Sequence, residues 1–472
     1  MNKKRVVLLI STDEYVRNYL LTAALSKVEM EYQCFFIASE KVTIRDPLQS
    51  KKNFLGFIAL NQKLIKRNQR MFDVMMWRFR KKSSAFYFRF LRYLQIDLLK
   101  WNTDLPQYLK NISKFIIYNA KDQRWLYCIL FGNRLVFPFY KKFRGANIPI
   151  NGELYAKIKE ISPDLLVFPS SAYDPIGNDL IRIGVSQGIK TLFLIDNWDN
   201  LSSKSLFWIR PDYLGVWGEQ SKKHAREIHG FDDRKIFTLG TPRFDAYFTR
   251  RNTPLESSFD FRYILFTGCA IAFDEVSTLL TLEHSLESNK ELCRGLKIVY
   301  RPHPWRQTRI YEPLFVEKQF THIIIDPQVK EAYYSNTCTN SIGKNFQPSL
   351  EYYPSLLQNA VFVIGPLTTM LIEALLFYKK VIALAYDDGV HLTSPHNALK
   401  YYTHFEGIEK IEGMTICRDQ KELEKYIVTF LHETKVVNKE KLDSDLHYYL
   451  FNDGIGYPKR LEKVLKQIAP AT

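Results

Sequence analysis

The sequence lacks the marks of several large classes of protein. Its six cysteines (Cys34, Cys128, Cys269, Cys293, Cys338 and Cys417) are scattered. They form no CxxC pair and have no zinc-like His spacing, so neither a disulfide framework nor a metal knuckle is expected, and a reducing cytoplasm is the default. No run of about eighteen apolar residues occurs, which argues against a spanning helix. The start, MNKKRVVLLISTDEY, imitates a signal peptide, but its apolar run VVLLI stops at Thr12, Asp13 and Glu14 and reads as a first buried strand. There is no internal repeat and no low-complexity tract.

Acidic residues are nearly missing from one segment. Residues 51–145 hold about 21 Lys and Arg against about 4 Asp and Glu, an excess as large as the whole chain's net charge of +16. Aromatics crowd the same segment, in MFDVMMWRFRKKSSAFYFRFLRYL (71–94) and FGNRLVFPFYKKFRG (131–145). Cations interleaved with Trp, Phe and Tyr suit an anionic membrane face, where rings sit at headgroup depth and Lys or Arg meets lipid phosphate. Two other readings fit the composition: a helical subdomain with aromatic core and solvated cations, and a nucleic-acid surface. The membrane reading is the expectation taken forward, with no nucleic-acid partner.

What is present is an alternation of apolar runs and helical segments, the pattern of parallel sheets with crossover helices. At 472 residues the chain is long enough for two or three domains. VVLLI and QCFFIAS are followed by the basic segment. LLVFPSS (165–171), KTLFLID (190–196), YLGVWGEQ (213–220) and KIFTLGTPRFDAY (235–247) then complete a first domain, residues 1–250, with 51–145 as a basic aromatic helical insertion. The polar stretch TRRNTPLESSFDF (249–261) reads as a linker. A second domain, 251–418, contains YILFTGC (263–269), LKIVYRPHP (296–304), THIIID (321–326), AVFVIG (360–365) and KVIALAY (380–386), and residues 419–472 read as C-terminal helices. The fold class is α/β, with two Rossmann-like domains. Ligands of open α/β sheets bind outside the carboxyl ends of the strands, so a cleft between the two domains is expected.

Chemistry-bearing residues end these strands. In IVYRPHPWR (298–306) an apolar strand stops on His303, held between prolines and flanked by Arg301 and Arg306. Prolines fix the direction of the imidazole. It can bond a phosphate oxygen or, protonated, offset the charge of a departing group. It can equally be structural. In GPLTTMLIEALLFYKKVIAL (365–384), Thr368 or Thr369 falls at a helix start, where free N–H groups and the dipole favour phosphate and where a hydroxyl is also an ordinary cap. Glu373 lies one turn further in.

The order of these elements is a strand ending in HP, about sixty residues, a strand, a small-residue turn, hydroxyls, a Glu-Ala pair and another strand. It resembles the second domain of GT-B glycosyltransferases, in particular bacterial sialyl- and polysialyltransferases, Kdo transferases and CDP-glycerol-dependent polymerases. The Ser/Thr motif is represented by Leu367, Thr368, Thr369 and Met370, where those families more often carry serines. In the first domain, FPSSAYDPIGNDLIRIGVSQGIKTLFLIDNWDNLSSKS and VWGEQSKKHAREIHGFDDRKIFTLGTPRFDAY, with the late FNDGIGYPKRLEKVL, resemble bacterial surface-carbohydrate transferases. They also resemble the UDP-N-acetylglucosamine 2-epimerase superfamily.

The resemblance implies that His303 assists departure of the leaving group and that Thr368 and Thr369 hold the same phosphate. It implies that Glu373 meets the ribose hydroxyls. Arg301 and Arg306 are expected to add positive charge, and with Gly268 they complete the expected donor-binding set. A general base should come from the first domain. The families' acidic-acidic-Gly motif is matched only by Asp387, Asp388 and Gly389, which lie in the second, so the base is unassigned; Asp199 and Asp174 are candidates, and a cap or turn role fits each as well. No DxD ends a strand, so no metal is expected, and no cofactor beyond a nucleotide-sugar donor.

The expected activity is metal-independent, inverting transfer of a sugar from a nucleotide donor to a glycan or lipid-linked acceptor. The setting would be capsule, O-antigen or lipopolysaccharide synthesis, with the protein cytoplasmic and peripheral on the inner membrane through 51–145. The alternatives are a non-hydrolysing UDP-N-acetylglucosamine 2-epimerase and a non-catalytic binding protein on the same fold.

Overall fold

A computed structural model describes residues 3–100, 104–147, 149–170, 174–303, 314–339, 349–433 and 436–470. The chain divides into two compact units. Met1–Phe86, Asp122–Ala246 and His447–Thr472 form the first, and Tyr87–Lys121 with Tyr247–Leu446 the second.

The first unit is built on seven strands: β1 (Arg5–Ile10), β2 (Gln33–Ser39), β3 (Phe54–Ile58), β4 (Leu165–Ser170), β5 (Lys190–Ile195), β6 (Tyr213–Val216) and β7 (Ile236–Thr238). They pair in parallel in the order β3-β2-β1-β4-β5-β6-β7. The central strands are continuous apolar runs because helices cover both faces of such a sheet; all six residues of β4 are buried. Val6, Leu8, Leu165, Val167, Leu192 and Leu194 enter one core.

The returning C-terminal chain closes this unit. The helix Tyr457–Ile468 sends Tyr457, Leu461, Val464, Leu465 and Ile468 into the same core. Arg460 pins it, with Nε donating to the Leu239 carbonyl at 2.8 Å and the two terminal nitrogens meeting Asp453 at 2.8 Å and Asp245 at 3.3 Å. The chain passes so close to Gly218 that a Cβ there would lie 2.6 Å from the Tyr449 carbonyl carbon.

The second unit has six strands: β8 (Arg262–Thr267), β9 (Leu296–Arg301), β10 (Ile323–Ile325), β11 (Val363–Pro366), β12 (Val381–Leu384) and β13 (Met414–Cys417). They too pair in parallel, in the order β10-β9-β8-β11-β12-β13. Ile264, Phe266, Ile298, Tyr300, Ile364 and Ile382 belong to its own core. In each sheet the order reverses beside its first strand, the topological switch point at which open α/β sheets bind ligands.

Three boundaries differ from those read in the sequence. The division between units falls at Ala246/Tyr247 rather than at 250. The basic segment is neither wholly helical nor one insertion in the first domain. It opens with β3 on the edge of the first sheet, and its middle, 87–121, belongs to the second unit. Side-chain contacts explain the latter. Tyr87 stacks on Tyr401 with centroids 4.6 Å apart, Asp97 accepts from the Thr393 N–H at 2.9 Å, and Lys100 pairs with Asp387 at 2.6 Å. Finally, residues 419–472 are not one helical appendage, because Leu423–His432 packs with the second core and Tyr457–Ile468 with the first.

Candidate functional site

At the switch point of the second sheet, three loops meet beyond adjacent strands β9, β8 and β11. The β8 and β9 loops are held together by glycine. The Gly268 N–H donates to the Arg301 carbonyl at 2.8 Å, and a Cβ on Gly268 would lie 2.8 Å from His303 N, 2.9 Å from Glu275 Oε2 and 3.1 Å from Pro302 Cα. No side chain fits there. Glu275, in the first turn of the helix Glu275–Ser288, is fully buried behind this contact and accepts from the Cys269 N–H at 3.0 Å and the Tyr300 hydroxyl at 2.7 Å. The backbone carrying His303 is thus braced, and the residue itself is half-buried at the strand end. Glu275 was not anticipated in the sequence, where an acidic residue after Asp274 reads as ordinary helix-dipole chemistry.

β8 and β11 approach as closely. A Cβ on Gly365 would lie 2.3 Å from the Thr267 carbonyl oxygen. Beyond β11, Thr368 is the N-cap of the helix Thr369–Leu376, yet its side chain bonds none of the first-turn N–H groups. Thr368 and Thr369 are both half-buried. The ends of β9 and β11 flank β8, so His303 and the helix start stand roughly 10 Å apart, two strand spacings. An imidazole, a glycine turn and a helix N-terminus with a hydroxyl not used for capping make a cradle of the kind that takes phosphate oxygens.

Two residues of the expected donor-binding set lie inside the domain. Arg301 is 3% exposed, pairs with the buried Asp326, and donates to Gln328 Oε1 at 2.8 Å and to the Tyr353 hydroxyl at 2.9 Å. Its guanidinium packs over the Tyr353 ring at 4.6 Å. Glu373 is fully buried and accepts from the Tyr247 hydroxyl at 2.8 Å. Arg301 therefore acts as an interior strut, and Glu373 ties the start of the second unit to the helix of the threonines. Arg306 lies outside the described residues.

The acidic-acidic-Gly turn after β12 is also occupied internally. Asp388 and His391, both buried, meet at 2.6 Å, and Asp388 accepts from the N–H groups of Val390, His391 and Asp274. Burial alone would raise this carboxyl; the His391 bond and charge, with the backbone donors, hold it below its ordinary range. Among the described residues one group could gather metal ligands, Glu283, Glu287 and His322. His322 precedes β10 and so stands at the sheet's opposite edge, and Glu283 already accepts from the Thr321 and His322 N–H groups.

In the first unit, carboxyl groups end the strands. After β4, Asp174 caps the helix Pro175–Gln187, accepting from Ile176 and Gly177 N–H at 3.0 and 3.1 Å, and burial still raises its pKa. After β5, Asp199 is paired with Lys204 at 2.9 Å and accepts from the Ser203 hydroxyl at 3.4 Å. Three residues earlier stands Asp196, which the sequence reading passed over. Its Oδ1 is buried with no hydrogen-bond partner among the described residues. Burial, and then the charge of Glu14, push its carboxyl well above the usual range against the pull of Lys204 and Arg243. A buried carboxyl whose pKa is raised in this way is a candidate for proton transfer.

No protein-family model matches the sequence, and no curated protein matches it either. Solved structures do resemble it. A Listeria monocytogenes protein assigned as a UDP-N-acetylglucosamine 2-epimerase aligns over 99% of this chain and 97% of its own at 12% identity, with a TM-score of 0.52. The glycosyltransferase of kitacinnamycin aligns over 100% of both chains at 10% identity with a TM-score of 0.50. The fold is GT-B. At such identities the likeness concerns the fold: two Rossmann-like units, each a parallel sheet with crossover helices.

Proposed function

We propose that the protein is a nucleotide-sugar-dependent glycosyltransferase that works without a metal and serves bacterial surface-glycan synthesis at the inner face of the membrane. The observation that carries this reading is the meeting of His303, Gly268 and the Thr368/Thr369 helix start at the switch point of the second sheet. In it, His303 and the threonines receive the donor phosphate, and His303 offsets the charge that develops on the leaving group. The acceptor's proton needs a carboxyl, and Asp196 suits that task better than Asp174, which caps a helix, or Asp199, which is paired with Lys204. The likeness in fold to a glycosyltransferase supports the class of reaction. Thermal-shift measurements with CMP, UDP, GDP and CDP, followed by donor turnover, test it. A nucleotide that binds the folded state raises Tm by mass action, and failure of all four would overturn the reading.

A second reading, a UDP-N-acetylglucosamine 2-epimerase, is favoured by the carboxylate of Glu14, whose charge acts on the buried Asp196. Epimerisation needs carboxyl groups to remove and return a proton at the sugar carbon, and a structure assigned to that activity shares the fold. Incubation with UDP-N-acetylglucosamine and detection of the manno epimer would decide for it.

A further inference from the structure

The basic segment is divided more sharply in space than its composition suggests. In the first unit, the helices Gln62–Arg78 and Arg124–Gly132 pack so closely that a Cβ on Gly132 would lie 2.8 Å from Trp77 Cδ1 and 3.1 Å from the Val74 carbonyl. Where the two helices end together they leave a pocket of about 620 Å³, lined by Trp77, Phe79 and Ile129 on its apolar side and by Arg78, Arg80, Lys81, Lys82 and Arg134 on the other. That volume is in the range of pockets for small ligands, about 300–1,000 Å³. No acidic residue lines it. Among the described residues none of these five cations is paired with a carboxylate, whereas the neighbouring Arg124 is paired with Asp122 at 2.6 Å. One side of the cluster is ordinary helix chemistry, since Arg80 donates to the Trp77 carbonyl at 3.0 Å and lies 4.8 Å over its ring. Arg78 lies 5.8 Å from the Phe79 ring and 5.9 Å from the Phe137 ring, and Lys81, Lys82 and Arg134 have no ion pair among the described residues.

Directly after Arg134 the chain exposes three large apolar side chains: Leu135 at 78%, Phe139 at 77% and Phe143 at 68%. Leu135 lies in the turn before the helix Phe137–Asn147, and the two phenylalanines are on the helix itself. The helix Phe137–Asn147 buries its other face, with Phe137 and Tyr140 against Trp208 at centroid distances of 6.1 and 5.7 Å, and the Tyr127 hydroxyl donates to that of Tyr140 at 3.1 Å. Phe139 and Phe143, four residues apart, share the opposite face. A fixed helix holding two phenylalanines in water beside an unpaired cationic pocket has the composition of an interfacial anchor, with rings for the acyl boundary and cations for phosphate.

We propose that this pocket seats the phosphate headgroup of an anionic membrane lipid while Leu135, Phe139 and Phe143 enter the lipid surface beside it. The inference deepens the membrane part of the function proposed above, and its test reads vesicle binding without turnover. Failure of the transferase reading and failure of this one are therefore separate results.

The experiment is co-sedimentation of the full chain with phosphatidylcholine vesicles, with and without phosphatidylglycerol, over a range of salt. Replacing Arg80, Lys81, Lys82 and Arg134 by Gln should weaken binding to the anionic vesicles by about a hundredfold. Removing the same charge outside the pocket, from the helix Gln62–Arg78 by Gln at Lys63, Lys66, Arg67 and Arg70, should cost less than about tenfold. Circular dichroism establishes that each variant is folded. Should the pocket variant not fold, Phe139→Ser with Phe143→Ser leaves the pocket intact and should abolish the binding that survives high salt. Equal losses in the two charge variants would reduce the pocket to part of a diffuse basic face and overturn the proposal. So would wild-type protein that ignores anionic vesicles at low salt, or that binds a single-stranded oligonucleotide in their place through the same four cations.

Discussion

At the carboxyl edge of the first sheet stand Asp174, Asp196 and Asp199; at the same edge of the second stand His303, Thr368 and Thr369. The two sheets share a strand order, each reversing beside its first strand, and so present loops at equivalent places. What fills those places differs in charge. At the first edge burial makes ionisation of Asp174 and Asp196 costly and pushes both upward. The second gathers hydrogen-bond donors, an imidazole and a helix N-terminus, which favour an anion. Topology decides where polar groups can stand, and the side chains decide whether the place suits a proton or a phosphate.

The largest effect that tests this contrast is expected at His303. His303→Ala should lower donor turnover by about a hundredfold or more, the range for removing one group that stabilises developing charge. The fold should survive, since the residue is half-buried at a strand end and its backbone is held by Gly268. Near-normal turnover in the purified variant would leave the second edge without the chemistry assigned to it.

The interiors differ as well, and pH separates them. In the first unit His229 is buried, bonds the Leu201 carbonyl at 2.6 Å, and has its pKa lowered from 6.5 to about 4, chiefly by burial. In the second, the buried Arg301 is compensated by Asp326. Below pH 6.5 the unfolded chain takes up a proton that folded His229 refuses. Stability from this group is therefore complete above 6.5 and is lost as pH falls toward about 4, by about 3 kcal/mol in all. Unfolding followed from pH 7 to pH 4 should show that loss, and His229→Gln should flatten the slope. An unchanged slope would mean that the imidazole is not held neutral.

A third effect, of about 1–3 kcal/mol, is expected from overpacking at Gly268. A methyl group there meets backbone at His303 and Pro302, so Gly268→Ala should lower both stability and nucleotide affinity. In the first unit, Gly152 begins a helix with nothing near its missing Cβ. Gly152→Ala should leave stability unchanged or raise it by up to about 1 kcal/mol. Urea unfolding of the pair checks both, and similar values would remove the argument that the β8 and β9 loops are locked together.

Much of this architecture is legible in the sequence because parallel strands buried on both faces read as continuous apolar runs. β2 and β5 lie within QCFFIAS and KTLFLID for that reason. The strands passed over are two of the four edges: β3, mostly half-buried, and β13, four residues between Gly413 and Arg418. The path of 87–121 depends on contacts such as Tyr87 with Tyr401, over three hundred residues apart, which no local pattern carries. The same limit applies to the site. His303 and the threonines were visible as polar residues ending apolar strands, but spacing cannot say which way a guanidinium turns, and Arg301 turns inward to Asp326. Asp196 and Asp199 share the stretch DNWDN, and only Lys204, Glu14 and their burial tell them apart.

The smallest effect is the most discriminating, because it separates capping from ligand binding at the second edge. A threonine at an N-cap ordinarily stabilises its helix by accepting a first-turn N–H, and replacing it costs about 1 kcal/mol. Thr368 makes no such bond. Thr368→Val keeps the shape and removes only the hydroxyl, so the melting temperature should hold while nucleotide affinity falls about fivefold, the net worth of one hydrogen bond. Thr369→Val, one residue into the helix, should weaken affinity to a similar degree. Calorimetric titration with the nucleotide that gives the largest thermal shift measures both. If Thr368→Val lowers stability and leaves affinity untouched, the hydroxyl is a cap after all. The second edge then keeps His303 and Thr369, and the contrast with the carboxyl edge of the first sheet rests on those two residues.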